Sequence, residues 1–200
     1  MTVSQFKTVP PRVIIFAGPN GAGKSTHADA ILAALGIQTF VNADYIARGL
    51  SGRNAEAVAM MAGRIMLMRL KELAAAQQDF AFESTLSSRS FARFLRQLKA
   101  QGYQVAIYYF SLASPSLAVR RVKLRVAMGG HDVPEEVIRR RFDRSLSNFF
   151  SLYTPLADRW LVFDNSVSGT AILLAHQEGD NLQIKEPQKW LKLQNRLRTC

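Results

Sequence analysis

Nine consecutive residues carry the strongest chemical signal in the sequence. They follow an apolar run and match the pattern G-x-x-x-x-G-K-[ST], and they are Gly18, Pro19, Asn20, Gly21, Ala22, Gly23, Lys24, Ser25 and Thr26. Glycines let the backbone curl so that successive N–H groups point at a triphosphate. Lys24 can then reach the β- and γ-phosphates, and the Ser25 hydroxyl can bind Mg²⁺. The segment therefore predicts a phosphate-binding loop for ATP or GTP, with Mg²⁺ as cofactor.

Two acidic residues follow predicted strands, where a parallel sheet places its ligands. Asp44 comes after the second strand, and Glu83 comes at the end of the third. We predict Asp44 as the catalytic base, because it can accept the proton of a substrate hydroxyl that attacks the γ-phosphate. We predict Glu83 as a substrate-binding acid, or as one that holds Mg²⁺ through water. The alternative for both acids is a helix N-cap. Asn42 and Thr85, two residues away from them, are predicted substrate contacts.

Arginines lie on both sides of Gly129-Gly130. Arg121 and Arg125 are four residues apart on one predicted helix, and a second basic cluster follows the glycines. Phosphoryl transfer needs cations on the charge that develops at the γ-phosphate, and a glycine-hinged lid over about residues 126–140 can deliver them. We predict Arg125 and Arg141 as catalytic and Arg121 as a substrate contact. The alternative is a solvated basic face.

Five further residues carry weaker signals. Arg140 and Arg144 lie opposite the apolar side of their predicted helix, so we expect them to face solvent. His131 belongs to the predicted lid and is expected to be a structural or contact residue. Arg64 stands in an otherwise apolar helix, which predicts a buried anionic partner, and we include it among the substrate contacts. Asn165 follows the fifth strand, where loops of kinase-type folds flank the adenine, and is a predicted nucleotide contact.

The elements that must position these residues alternate between strand and helix. The predicted strands cover residues 13–17, 37–41, 80–82, 103–110 and 160–163, and the predicted helices about 24–35, 54–77, 90–100, 115–128 and one from 134. Residues 171–175 and 182–184 predict a hairpin, with a short basic helix after it. Such alternation predicts right-handed crossovers and an α/β, three-layer P-loop NTPase fold with a mostly parallel five-stranded sheet. We predict one domain over residues 1–200, with its core at about 12–166 and the hairpin and last helix at about 168–200.

The composition indicates a globular chain that attracts anions. Of its 200 residues 48% are hydrophobic, and 26 basic against 15 acidic residues give a net charge of +11. This charge favours nucleotides, nucleic acid, an anionic membrane or an acidic protein partner without choosing among them. Cys200 is the only cysteine, which excludes an intramolecular disulfide and fits a reducing compartment. We find neither a signal sequence nor an apolar run that could span a bilayer, so we expect a cytoplasmic protein without a membrane partner.

The remaining motifs narrow the class of enzyme. The sequence lacks the Asn-Lys-x-Asp motif with which GTPases recognise guanine, which argues against a GTPase. The strand that ends in Glu83 lacks the Asp-Glu pair typical of motor ATPases, which argues against that class. A small-molecule kinase is what remains. A basic nucleic-acid-binding NTPase is the alternative from another class, but the aromatic run at residues 108–110 belongs to a buried type of strand and offers no evident stacking platform.

Four segments, in this order, resemble the zeta toxin family. They are FAGPNGAGKST at 16–26, VNADYIA at 41–47, FESTLS at 82–87, and GGHDVP at 129–134 followed by IRRRF at 138–142. The resemblance covers about residues 12–166. The arrangement of acids and lid also looks like that of adenylate kinase, in which arginine pairs lie before and after the lid.

The resemblance implies an activity and a partner. Zeta toxins are kinases that phosphorylate a sugar hydroxyl of UDP-N-acetylglucosamine, and a small antitoxin holds them inactive. By motif, Lys24 matches the phosphate-loop lysine, Asp44 the catalytic base and Glu83 the sugar-site acid. Arg125 and Arg141 match the two arginines that clamp the transferred phosphate.

One departure from the family pattern concerns the acceptor. The better-known members carry a further substrate acid in the long helix before the third strand. Here the aligned position is Leu67, and Glu72 is displaced by more than a turn. A kinase of another small acceptor, such as a nucleoside or an antibiotic, therefore stays open beside the nucleotide sugar.

Overall fold

One mixed sheet organises the chain in the computed structural model, which describes residues 9–50, 55–130, 132–167 and 169–198. The strands are β1 (Arg12–Ala17), β2 (Phe40–Val41), β3 (Phe80–Ser84), β4 (Gln104–Ser111), β5 (Arg159–Asp164), β6 (Ile172–Glu178) and β7 (Asn181–Ile184). Their order across the sheet is β2-β3-β1-β4-β5-β6-β7. The first five pair in parallel, while β6 and β7 are antiparallel to their neighbours. The carboxyl ends of the five parallel strands therefore share one edge of the sheet.

The predicted number of strands is wrong, because the described part of the chain forms a seven-stranded sheet and not a five-stranded one. The predicted hairpin exists as β6 and β7, but β6 pairs along the whole of β5, from Arg159 opposite Glu178 to Asp164 opposite Ile172. The hairpin thus extends the sheet, since a free β5 edge would leave a row of backbone N–H and C=O groups unpaired. The predicted α/β class and mostly parallel sheet are confirmed.

Seven α-helices connect and cover the strands within the described residues. They are α1 (Lys24–Leu35), α2 (Ala43–Gly49), α3 (Ala55–Ala75), α4 (Ser90–Ala100), α5 (Pro115–Ala127), α6 (Glu135–Asn148) and α7 (Pro187–Arg198). A π-helical turn (Phe149–Tyr153) and a short 3₁₀ helix (Thr154–Leu156) follow α6. Helix α2 was not predicted. None of the described helices combines the length and the apolar character that crossing a membrane requires.

Two apolar cores cover the two faces of the sheet, which makes the fold three-layered as predicted. Alternate residues of β1 enter different cores: Val13 and Ile15 belong to the first, and Ile14 and Phe16 to the second. The first core is closed by α3, α4 and α7, and the second by α1, α5 and most of α6. Burial on both faces explains why β1 is a continuous apolar run without alternation.

The predicted lid, at about residues 126–140, includes the end of α5, the start of α6 and the short connection between them. Helix α5 ends at Ala127, Gly129 has a left-handed φ of 81°, and α6 begins at Glu135. The predicted lid residue His131 and the single cysteine Cys200 lie outside the described residues.

Candidate active site

The phosphate-binding loop is a tight backbone curl between β1 and α1. Gly18, Gly21 and Gly23 have φ angles of 134°, 73° and 76°, which side chains of L-residues rarely tolerate. A Cβ on Gly18 would lie 2.2 Å from the carbonyl oxygen of Phe110, so the loop packs directly on β4. Lys24, only 5% exposed, donates from Nζ to the carbonyl oxygen of Pro19 at 3.0 Å. The loop therefore has the curled backbone and inward lysine that a phosphate site requires.

Glu83 connects the loop with the neighbouring strands. Its Oε2 accepts from the Ser25 hydroxyl at 2.6 Å and from the Asn42 amide at 3.0 Å, and its Oε1 lies 3.3 Å from Lys24 Nζ. Since Glu83 is a residue of β3, it caps no helix. The structure thus places this carboxylate directly beside the two residues predicted to bind phosphate and magnesium.

Asp44 lies at the start of α2 and faces an arginine. The N-cap of this helix is Asn42, whose side chain accepts from the Asp44 backbone N–H at 2.8 Å, so the alternative role of Asp44 as the cap is excluded. The carboxylate Oδ2 of Asp44 accepts from Nη1 of Arg125 at 3.2 Å. The pKa of Arg141 lies below its ordinary value, mainly because the side chain is partly buried and also because Arg140 is close. The negative charge of Asp44 opposes this shift in part. Arg125 therefore pairs directly with Asp44, and Arg141 lies within electrostatic range of it.

These residues share one cleft of about 490 Å³ at the carboxyl edge of the sheet. Predicted site residues that line it are Asn20, Gly21, Lys24, Asn42, Asp44, Arg64, Glu83, Thr85, Arg125 and Arg141. Arg64 is exposed and lines the cleft from α3, and the buried anionic partner that we expected for it is not found among the described residues. The cleft also contains residues that we did not predict, among them Met60, Leu67, Ser90, Phe91 and Val133.

The unpredicted residues had only a partial signal in the sequence. Met60 and Leu67 lie one turn before and one turn after Arg64, so helical spacing from that arginine could have found them. Phe91 and Ser90 begin α4, and nothing in their local sequence points toward a cleft.

Arg121 and Asn165 lie behind the phosphate loop and outside the lining of the cleft. The Asn165 amide donates to the Ala22 carbonyl at 2.8 Å, and Arg121 donates to the carbonyls of Asn165 and Ser166 at 2.7 and 3.0 Å. A Cβ on Gly23 would lie 2.5 Å from the Asn165 amide nitrogen. The two residues therefore hold the loop against the end of β5, and Arg121 lies apart from the other predicted substrate contacts.

The remaining arginines of the second cluster face away from the cleft. Arg140 and Arg144 are exposed, as predicted, while Ile138 and Phe142 of the same helix are buried. Arg139 donates to Glu135 at 2.8 Å on the surface. Of this cluster, Arg141 is the residue that lines the cleft.

The oxygen ligands of the site fit Mg²⁺ bound together with a nucleoside triphosphate. A Ser25 hydroxyl beside the Glu83 carboxylate offers the oxygen ligands that Mg²⁺ prefers. Nowhere in the described ranges do three His, Cys, Asp or Glu side chains gather into a metal-binding group. Mg²⁺ commonly uses one or two protein ligands together with substrate phosphates, so this sparse set suits that ion.

Solved structures share this fold at low sequence identity. A crystal structure of AvrRxo1-ORF1 with AvrRxo1-ORF2 and ATP matches with a TM-score of 0.75 and 15% identity, over 93% of this chain and 64% of that chain. The chain thus spans slightly less than two thirds of that protein. The PezAT toxin-antitoxin system of Streptococcus pneumoniae matches with a TM-score of 0.58 and 14% identity, over 96% of this chain and 88% of that one.

Sequence comparisons give the family. A protein of uncharacterized function from Haemophilus influenzae is 28% identical over 135 residues, which are 66% of this chain and 92% of that protein. The family model described as zeta toxin matches residues 3–168, a range that includes the phosphate loop and every charged group of the cleft. With this match over most of its length, the chain belongs to the zeta toxin family, and its fold is that of the P-loop kinases.

Proposed function

We propose that the protein transfers the γ-phosphate of ATP to a hydroxyl of a small acceptor, with UDP-N-acetylglucosamine as the best candidate. One observation carries the proposal: Lys24, Asp44, Glu83, Arg125 and Arg141 line the same cleft at the carboxyl edge of the sheet. They supply a phosphate site, a base and two guanidinium groups, which are the parts that phosphoryl transfer needs.

The donor side consists of the phosphate loop. Its backbone N–H groups and the N-terminus of α1 bind the β- and γ-phosphates, because both carry partial positive charge. Lys24 exchanges its contacts with Pro19 and Glu83 for phosphate oxygens. Asn165 keeps the loop curled through its bond to Ala22. The base of the nucleotide would then lie near Asn165.

Ser25 and Glu83 are the residues that would hold Mg²⁺. Bound there, the ion would neutralise charge on the phosphates of the donor. Ser25 offers its hydroxyl oxygen directly, and Glu83, at 2.6 Å from that oxygen, orients the hydroxyl or a water molecule. The nucleotide need not be ATP alone, and GTP is the alternative donor.

The acceptor side contains Asp44 as the base. As the acceptor oxygen forms its bond to the γ-phosphorus, the bond between that phosphorus and the β,γ-bridging oxygen breaks and ADP leaves. Asp44 takes the proton of the acceptor hydroxyl, and Arg125 and Arg141 stabilise the charge on the transferred group. Asn42, Glu83 and Thr85 are the proposed contacts of the acceptor.

Another small acceptor is the second candidate, and Leu67 favours it. This side chain lines the cleft and is 37% exposed at the position where better-known zeta toxins carry a substrate acid. A nucleic-acid acceptor receives no support, because Tyr108, Tyr109 and Phe110 are all at least 93% buried and cannot stack on bases.

A small acidic antitoxin is the proposed protein partner. The neighbour AvrRxo1-ORF1 was solved together with AvrRxo1-ORF2. The second neighbour belongs to the PezAT toxin-antitoxin system of Streptococcus pneumoniae. A chain with a net charge of +11 would attract an acidic partner over long range.

Transfer of labelled phosphate from ATP to UDP-N-acetylglucosamine in the presence of Mg²⁺ tests the proposal. Lys24→Ala is the first control, and omission of Mg²⁺ is the second. A phosphorylated nucleotide sugar that depends on Lys24 and Mg²⁺ is the expected result. If ATP binds and UDP-N-acetylglucosamine is not labelled, this acceptor is refuted, and the assay is repeated with a metabolite extract. If no molecule of the extract is labelled either, the proposed kinase activity is refuted.

A further inference from the structure

The charges that line the cleft do not balance. Its two carboxylates each face a cation already, since Asp44 accepts from Arg125 at 3.2 Å and Glu83 lies 3.3 Å from Lys24. Arg64 and Arg141 add two further positive charges to the lining. Arg141 interacts electrostatically with Asp44, and the proposed transfer uses it to stabilise the transferred phosphate. Arg64 is the cation for which the proposed phosphoryl transfer has no role.

Arg64 stands on an apolar wall. On the same face of α3, Met60 lies one turn before it and Leu67 one turn after it, and both line the cleft at 59% and 37% exposure. Ala59 and Gly63 complete the wall. Within the described ranges, no hydrogen bond or ion pair joins Arg64 to another residue. The wall thus presents one guanidinium group surrounded by methyl and methylene groups.

Such a wall selects its ligand by charge. An apolar surface discriminates weakly between acceptors that differ by a hydroxyl group, because it offers that hydroxyl no hydrogen-bonding partner. A guanidinium group, by contrast, binds phosphate or carboxylate through two parallel N–H···O bonds, and its planar fork matches both anions.

We propose that Arg64 determines specificity by binding an anionic group of the acceptor, so that the enzyme phosphorylates acidic alcohols such as sugar phosphates. The anionic group, phosphate or carboxylate, lies along α3, while the hydroxyl reaches Asp44. Neutral acceptors such as free sugars and nucleosides are then poor substrates. This inference rests on the proposed kinase activity and adds the residue that would recognise the charge of the acceptor.

Fractionation of acceptors by charge tests the inference without knowledge of the substrate. A small-molecule cell extract is divided on an anion exchanger into a retained and an unretained fraction, and each is incubated with enzyme, labelled ATP and Mg²⁺. We expect labelled product from the retained fraction. Label from the unretained fraction alone would overturn the role of Arg64 and leave the kinase activity standing. Label from neither fraction would refute the kinase activity itself, and the inference with it.

Kinetics of variants then test the residue. The acceptors are UDP-N-acetylglucosamine, N-acetylglucosamine 1-phosphate, the carboxylate N-acetylmuramic acid and neutral N-acetylglucosamine, together with any product identified from the retained fraction. For anionic acceptors, Arg64→Ala should raise KM about 10- to 100-fold with kcat nearly unchanged. The reason is that the lost charged hydrogen bond would stabilise the bound substrate and the transition state equally. The phosphate and carboxylate acceptors show which anion is preferred.

Two further variants separate charge from structure. Arg64→Lys should restore part of the affinity, because it keeps the charge and loses the fork. Arg69→Ala is the matched control, since Arg69 lies on the same helix, pairs with Glu72 at 3.0 Å and does not line the cleft. An unchanged KM in Arg64→Ala, or an equal rise in KM for the neutral acceptor, would overturn the inference.

Discussion

Replacement of Asp44 by Asn tests the role of Asp44 in catalysis separately from its contribution to the stability of the fold. The change keeps the shape of the side chain and removes its charge. Asp44 is the second residue of α2, its side chain is 36% exposed, and its partner Arg125 is 31% exposed. The backbone N–H of residue 44 still donates to Asn42, so the start of the helix is preserved.

The expected loss of stability is small. A solvent-exposed ion pair contributes about 0–1 kcal/mol, and a carboxylate at a helix N-terminus about 0.3–1 kcal/mol. For a chain of this size, a loss of about 1 kcal/mol lowers Tm by roughly 2–4 °C. The free energy of unfolding should therefore change by little more than the error of a denaturant titration.

The expected loss of rate is much larger. Removal of a general base commonly costs about 10²–10⁴ in kcat, which corresponds to about 3–5 kcal/mol in the barrier. ATP affinity should not change, because the phosphate loop makes no described contact with Asp44. Single-turnover transfer, nucleotide titration and thermal melting measure the three quantities separately.

A matched control sharpens the result. Asp29→Asn makes the same chemical change on the exposed side of α1 and should leave rate, affinity and Tm unchanged. Asp44→Asn with kcat within about tenfold of wild type would refute its assignment as the base. Loss of ATP binding in parallel with kcat would show that Asp44 supports the loop instead.

Three further changes probe the surroundings of the site. Glu83→Gln leaves the buried Lys24 without its counterion, so the free energy of unfolding should fall by about 3 kcal/mol in urea, and added ATP should restore part of it. Gly130→Ala would place a Cβ 2.6 Å from Cγ of Arg125, so kcat should fall while ATP affinity holds; an unchanged kcat would contradict this. Burial raises the pKa of Tyr153 from 10.0 to about 12, so the folded state keeps a proton that the unfolded state loses. Stability should therefore fall as pH rises from 10 to 12, and Tyr153→Phe should reduce that slope in urea titrations at stepped pH.

The sequence was most informative where local pattern and chemistry coincide. The apolar β1, the glycine loop and the start of α1 form one local unit, and it was predicted almost to the residue. By contrast, α2 was missed, although Asn42 is a good N-cap and Asp44 a favourable acid in its first turn. A two-residue strand, Phe40–Val41, precedes it, and such a short element leaves little periodicity to detect.

Features that depend on distant pairing were beyond the sequence. The joining of β6 to β5 includes a shift of register between Val162 and Phe163, and no local residue pattern specifies it. The contact of Asp44 with Arg125 links residues 81 positions apart. Residue type predicted that both belong to the site, but only the crossovers of the sheet bring them together. Arg121 shows the converse, because its spacing from Arg125 suggested a shared role, whereas it donates to carbonyls behind the loop.

The bond between Asn165 and Ala22 has a consequence for protein synthesis. It joins residues 143 positions apart and holds the phosphate loop against the last parallel strand. Contacts of such long range form late, since the chain must first overcome the entropy of closing the loop between them. A growing chain therefore contains the phosphate-loop sequence long before it can lock that loop in shape. We expect an active protein only after the chain has been translated through residue 165. Another protein would therefore have most of the time of translation to bind the growing polypeptide before it becomes active.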